Sequence, residues 1–244
     1  MSARHRLSAA LTLLVAGGVL AGTATAAHAD PLAPAVGAVP VAPGVAAADN
    51  GAAGWGAQFP AANHVVTTTF TVPTVVCRPG STIMSVGVTV TGTAVSDGNF
   101  DYLFGQVVVD CRGGAPVYTA TVSTNPKTVS GAVAPGDELF VRLTATSTGK
   151  AYAVLTDRTS GLRLQAVDFG ILATGLTASL SGSVDDQVVP RFTPVTFSQV
   201  QVDGRRLTVF KPYRFDEVSG GVTVATASAL TGGQNFTVRR VAGS

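Results

Sequence analysis

The residue with the clearest chemical potential is a glutamine on an otherwise apolar run. Gln106 lies in the stretch DYLFGQVVVDCRGGAPVY, which begins at Asp101 and ends at Tyr118. A glutamine amide donates hydrogen bonds without titrating, so it can stabilise a developing oxyanion while a second group handles the proton. The alternative is a polar strand residue with no chemical role. The choice depends on whether the chain offers Gln106 an acid–base partner.

The groups that could act as acid or base are few. The only glutamates are Glu138, which opens a predicted strand after a PGD turn, and Glu217, in the run YRFDEVSGG that is typical of a loop. His64 is predicted to lie exposed at the start of a strand, and no serine elbow accompanies it. No phosphate-binding loop or metal-ligand motif is present. We therefore expect neither a cofactor nor a metal.

The two cysteines, Cys77 and Cys111, do not have the spacing of a metal motif. In an oxidising compartment they are expected to form a disulfide, and the alternative is two free thiols.

The ends of the sequence predict export. Residues 1–29 have a basic start, an apolar run and small residues before a cleavage site, as in a secretory signal peptide. Residues 30–52 are rich in Ala, Pro, Gly and Val, which predicts a flexible propeptide or linker, or a plain disordered tail. Residues 53–244 are long enough for one domain, and no later run reaches the roughly 18 apolar residues of a spanning helix. We predict a secreted, extracellular protein without membrane insertion.

The charge balance argues against a polyanionic partner. The chain has 16 Lys and Arg against 14 Asp and Glu. Arg4 and Arg6 lie in the predicted signal peptide, so 16 − 2 = 14 basic residues face 14 acidic ones after cleavage. A net charge near zero does not favour nucleic acid. The expected partner is an extracellular peptide or glycan, and the sequence predicts no particular oligomeric state.

Short runs rich in Val, Thr, Phe and Tyr recur between turn signals, and helix signals are almost absent. This pattern predicts an all-β fold, a two-sheet antiparallel β-sandwich. The predicted strands include HVVTTTFTVP, TIMSVGVTVTGT, YLFGQVVVDC, VYTATVST, ELFVRLTAT, AYAVLTD, TASLSGSV, VTFSQVQVDG, RLTVFKPY, GVTVATA and NFTVRRV.

The order of several motifs resembles that of a known family. The motifs are GWGAQF with VVTTTFTVP, MSVGVTV, FGQVVVDCRGGAPVYTA, VAPGDELFVRLTATSTGKAYAVLTDRTSG, VTFSQVQVDG and SALTGGQNFTVRR. In this order they resemble the secreted glutamic peptidases, the eqolisins. The resemblance implies a two-sheet β-sandwich. It also implies an acid endopeptidase in which a glutamate is general base and acid, and a glutamine amide stabilises the oxyanion.

The resemblance places the family's site on residues of other types. Its glutamine falls on Phe104 and its glutamate on Ser183. Its strand tryptophan falls on Ser85 and the neighbouring aspartate on Thr89. This predicts a protein that keeps the scaffold without the catalytic dyad, and therefore a catalytically inactive binding or extracellular accessory protein.

A displaced dyad is the alternative. Gln106 lies two residues beyond Phe104 and Asp185 two beyond Ser183, so each faces the same way as the position it would replace. Two residues span about 7 Å of strand, and the pair stays together only if the two strands run parallel. The chain would then be an acid endopeptidase with Gln106 and Asp185 as a variant dyad. Otherwise Gln106 lines a cleft or faces solvent, and Asp185 lies in a turn.

Overall fold

The computed structural model describes residues 51–148, 150–182 and 188–241. Their backbone is almost entirely β, as expected for runs of β-branched and aromatic residues between glycine-rich turns. The strands are β1 (Ala52–Ala62), β2 (His64–Thr71), β3 (Val75–Val76), β4 (Ile83–Ala94), β5 (Phe100–Asp110), β6 (Val117–Ser123), β7 (Thr128–Ala132), β8 (Glu138–Ala145), β9 (Lys150–Asp157), β10 (Arg163–Phe169), β11 (Ile171–Ser181), β12 (Arg191–Phe192), β13 (Val195–Val202), β14 (Arg205–Arg206), β15 (Tyr213–Phe215), β16 (Glu217–Ser219), β17 (Val222–Ala227) and β18 (Phe236–Arg240).

The strands form two large sheets and one small one. The seven-stranded sheet has the order β15-β1-β11-β4-β5-β6-β7. The nine-stranded sheet has the order β10-β9-β8-β2-β13-β18-β17-β16, with β14 beside β13, and β12 pairs with β3 in a two-stranded sheet. The neighbouring strands pair antiparallel. The prediction of an all-β antiparallel sandwich is confirmed. No helix among the described residues is long and apolar enough to cross a membrane.

One predicted strand is wrong. The run RLTVFKPY folds as the short β14 followed by a 3-10 helix, Leu207–Phe210. Leu207 is fully buried, and the ring of Phe210 packs edge-on against Phe59 with centroids 6.0 Å apart. These two apolar residues are three apart, which matches the three-residue turn of a 3-10 helix rather than the alternation of a strand.

The core lies between the two large sheets, and one glycine marks their close approach. A Cβ on Gly105 of β5 would lie 2.5 Å from a Cγ atom of Val141 on β8, in the opposite sheet. Leu103 and Val107 also face this core. Because strand side chains alternate, Phe104 and Gln106 face the outer side of the seven-stranded sheet.

The predicted disulfide is confirmed. Cys77 and Cys111 are bonded across 34 residues of sequence. The bond ties the segment before β4 to the residue that follows β5, and Cys111 is buried in the core.

Replacing both cysteines, Cys77→Ala with Cys111→Ala, should lower the free energy of unfolding by about 4 kcal/mol, because the cross-link no longer restricts the unfolded chain. Guanidinium denaturation followed by the fluorescence of Trp55 measures the change. The wild-type protein with its disulfide reduced should behave like the double variant. Equal stability of the oxidised wild type and the double variant would show that the cross-link contributes nothing.

Candidate functional site

Gln106 lines a small polar pocket on the outer face of the seven-stranded sheet. The pocket has a volume of about 20 Å³, which is room for about one water molecule. The Gln106 side chain is 5% exposed, so it lines a cleft rather than facing solvent. The lining residues come from β4, β5 and β11 and are Ser85, Gly87, Thr89, Gln106, Thr177, Ser179 and Ser181.

The strand register shows which residues face each other across this pocket. Gln106 on β5 lies opposite Gly87 on β4, and Gly87 lies opposite Ser179 on β11. Gln106 and Ser179 therefore lie level with each other, two strand spacings or roughly 9.5 Å apart. Both β5 and β11 are antiparallel to β4, so they run parallel to each other. This is the relative direction that a displaced dyad requires, but Asp185 lies outside the described residues. Its pairing with Gln106 stays a prediction.

Gly87 gives the middle of the pocket floor its shape. A Cβ at this position would lie 2.3 Å from the carbonyl oxygen of Gly105 and 2.6 Å from the Cα of Gln106. No side chain fits there without moving the backbone of β5. The position between Gln106 and Ser179 is consequently bare, which leaves the space above it open to a ligand.

Two of the four positions that the resemblance assigned line the pocket, and both carry hydroxyl groups. Ser85 shares a 2.6 Å hydrogen bond with Ser181 on the neighbouring strand, and Thr89 lies directly opposite Phe104. Phe104 is 1% exposed and stacks on the ring of Tyr102 with centroids 5.9 Å apart. The fourth position, Ser183, lies outside the described residues.

Aromatic side chains flank the polar floor. Gly56 on β1 lies opposite Tyr213 on β15, and a Cβ on Gly56 would lie 2.5 Å from the tyrosine ring. Tyr213 therefore covers this edge of the groove, and burial raises the pKa of its hydroxyl. On the other flank Phe104, Tyr102 and the exposed Phe100 follow one another along one face of β5. The groove is thus a polar strip between two aromatic margins.

Sequence reasoning placed Glu217 wrongly. It lies in strand β16, not in a loop, and it is 2% exposed. Its Oε1 accepts a 3.0 Å hydrogen bond from the backbone N–H of Gly182, and its buried Oε2 has no partner among the described residues. The sequence feature that could have predicted this strand is the Gly220–Gly221 pair, which forms the turn of a hairpin between EVS and VTVATA.

The carboxyl of Glu217 does not line the Gln106 pocket. A Cβ on Gly182 would lie 2.3 Å from Glu217 Oε1, whereas the preceding residue, Ser181, lines the pocket. Successive residues of an extended chain point to opposite faces, so Glu217 lies beneath the end of β11. Burial raises its pKa to about 8, with the Gly182 hydrogen bond opposing the shift.

His64 is not the exposed residue that was predicted. Its side chain is 11% exposed, and Nδ1 lies 2.8 Å from a carboxylate oxygen of Asp203. Nε2 lies 3.3 Å from the carbonyl oxygen of Pro60. The ring thus joins β2 to the turn after β13, and the prediction failed because Asp203 is distant in sequence. Both ring nitrogens therefore already lie within hydrogen-bond distance of an acceptor.

Glu138 opens β8, as predicted. Its Oε1 accepts a 2.7 Å hydrogen bond from Arg158, and both side chains are about half exposed. Glu138 is not among the residues that line the Gln106 pocket.

Comparison with known proteins shows which solved structures share this fold. No protein-family model and no curated protein sequence matches the chain. Its structure is similar to scytalido-glutamic peptidase with a transition state analogue inhibitor, at a TM-score of 0.63 and 16% identity, over 80% of this chain and 100% of that one. It is also similar to SCP-B, a member of the eqolisin family of peptidases solved with the tripeptide Ala-Ile-His, at a TM-score of 0.59 and 18% identity, over 78% of this chain and 98% of that one. The chain therefore has a glutamic-peptidase-like fold.

The raised pKa of Glu217 predicts a pH-dependent stability. Between about pH 5 and 8 the folded protein keeps the Glu217 proton that the unfolded chain has released. The folded state then binds more protons, so the free energy of unfolding falls as the pH rises. The slope is about 1.4 kcal/mol per pH unit, on the order of 4 kcal/mol over this range. Glu217→Gln should remove this slope in denaturation curves recorded at several pH values.

Glu138→Gln is the matched control, because it changes the other glutamate of the chain at an exposed site. It should keep the pH dependence of the wild type. An unchanged slope in Glu217→Gln would contradict the assignment of a buried, protonated carboxyl.

Proposed function

We propose that this protein is an exported binding protein that holds extended peptides in the groove of a glutamic-peptidase-like fold and does not hydrolyse them. The observation that carries the proposal is the chemistry of the Gln106 pocket. Its lining offers one amide and five hydroxyls, from Ser85, Thr89, Thr177, Ser179 and Ser181. Neither group exchanges a proton in the acid range. Among the described residues the lining therefore holds no general base for water, although it holds an oxyanion donor.

A peptide is the ligand class that the groove fits best. Hydroxyl and amide groups can both donate and accept hydrogen bonds, as the alternating N–H and C=O groups of an extended peptide require. Tyr213 on one margin and the exposed Phe100 on the other can supply apolar contact for the side chains of a peptide. One structure of similar fold holds a tripeptide, and another holds a transition state analogue inhibitor. A glycan is the less favoured ligand, because Phe104, the aromatic residue beside Gln106 on β5, is buried and does not present an open ring face.

Export is part of the proposal. The disulfide supports an oxidising compartment, and residues 1–29 have the pattern of a secretory signal peptide. An extracellular protein that binds peptides without cleaving them would act as an accessory or sequestering protein.

The competing hypothesis is an acid endopeptidase that uses Gln106 and Asp185. It is supported by the position of Gln106 in the pocket and by the parallel direction of β5 and β11. It requires a carboxyl from Asp185 within about 3 Å of the amide, or one water away. The two hypotheses agree on the groove and differ in what happens to a bound peptide.

Retention of tryptic casein peptides on the immobilised protein tests the binding proposal. Wild-type protein should retain a subset of peptides, recovered at their original mass. Gln106→Ala should weaken retention about tenfold, because a buried hydrogen-bonding group is lost. Retained peptides are eluted and quantified by mass spectrometry.

The control is Gln165→Ala, which removes an identical amide from an exposed position on β10, in the other sheet. It should retain peptides as the wild type does. No retention by the wild type, or equal retention by the wild type and Gln106→Ala, would contradict a peptide-binding groove at Gln106.

A further inference from the structure

Three arginines converge at one end of the sandwich, outside the Gln106 pocket. Arg191 begins β12 and lies opposite Val76 of β3, and Arg78 follows Val76 by two residues. Strand β12 also packs against β18, whose last residue is Arg240. The fold thus brings together basic residues from three separate parts of the sequence.

The three positive charges are close enough to affect one another. The pKa of the Arg240 guanidinium is lowered, first by burial and then by the positive charges of Arg78 and Arg191. The Nε–H donor of Arg240 is buried and has no hydrogen-bond partner among the described residues. Within that part of the chain, none of the three arginines has an ion-pair partner within 4.0 Å.

This arrangement is costly without an acceptor. A buried donor that loses its water without gaining a partner destabilises the fold, and like charges nearby add to that cost. The preceding residue of the strand, Arg239, is exposed and points to the opposite face of the sheet. The convergence is therefore specific to Arg240 and is not a property of the whole end of β18.

We propose that Arg78, Arg191 and Arg240 form a binding site for an oxyanion, a carboxylate or a phosphate. The planar guanidinium group presents paired N–H donors that match two oxygens of such a group, and three guanidiniums can share one anion. The anion comes from solution. The site is independent of the proposed peptide groove, because it shares no residue with it.

Titration with inorganic phosphate tests the site. Calorimetry and thermal unfolding are carried out at constant ionic strength, with sodium chloride as the reference salt. Phosphate should bind and raise the melting temperature. Arg240→Gln should weaken the apparent phosphate affinity about tenfold, because a charge-assisted contact is lost. Arg191→Gln, at an exposed position, should weaken it similarly and serves if Arg240→Gln folds poorly.

Arg239→Gln is the matched control, since it removes one positive charge from the same strand and should leave phosphate binding unchanged.

Absence of phosphate binding to the wild-type protein would overturn the proposal. Binding that persists undiminished in Arg240→Gln and Arg191→Gln would overturn it as well.

Discussion

The close approach of the two sheets at Gly105 is the constraint on which the groove depends. Val141 of the opposite sheet occupies the space where a side chain of Gly105 would lie. With this residue facing the core, the two-residue period of a strand turns Phe104 and Gln106 to the outer face. A second glycine, Gly87, keeps the floor beside Gln106 bare. The amide that marks the pocket therefore owes its position to two residues without side chains.

The chemical character of the groove follows from this arrangement. Hydrogen-bonding groups are concentrated at the pocket, but the groups that line it do not titrate at acid pH. Glu217, whose pKa burial raises to about 8, lies beneath the end of β11 and accepts a hydrogen bond from the backbone N–H of Gly182. In the described structure, Glu217, the carboxyl that keeps a proton, thus lies apart from Gln106, the amide that could stabilise an oxyanion. This separation supports a groove that binds without catalysing.

Local patterns in the sequence were sufficient for most of the strands, for the sandwich and for the disulfide. Alternation and turn residues act over short distances, and an isolated cysteine pair allows one pairing. The sequence left open whether Gln106 lines a cleft or faces solvent, and the structure shows that it is buried in a cleft. Gln106 and Ser179 lie level with each other because of the registers of β5 and β11 against β4, and no local pattern specifies these registers. The contact between His64 and Asp203 joins residues 139 positions apart and was missed for the same reason. Glu217 was misplaced because a three-residue strand beside two glycines carries too little periodicity to be separated from a loop.

Digestion of denatured casein by the purified wild-type protein between about pH 2 and 5 tests the central claim most directly, since a carboxyl base would be poised for catalysis in that range. Mass spectrometry detects new peptide termini against a protein-free control. A groove without a general base predicts no new termini at any pH in the range. Acid-dependent cleavage that Gln106→Ala abolishes and Gln165→Ala preserves would contradict it and establish the variant dyad.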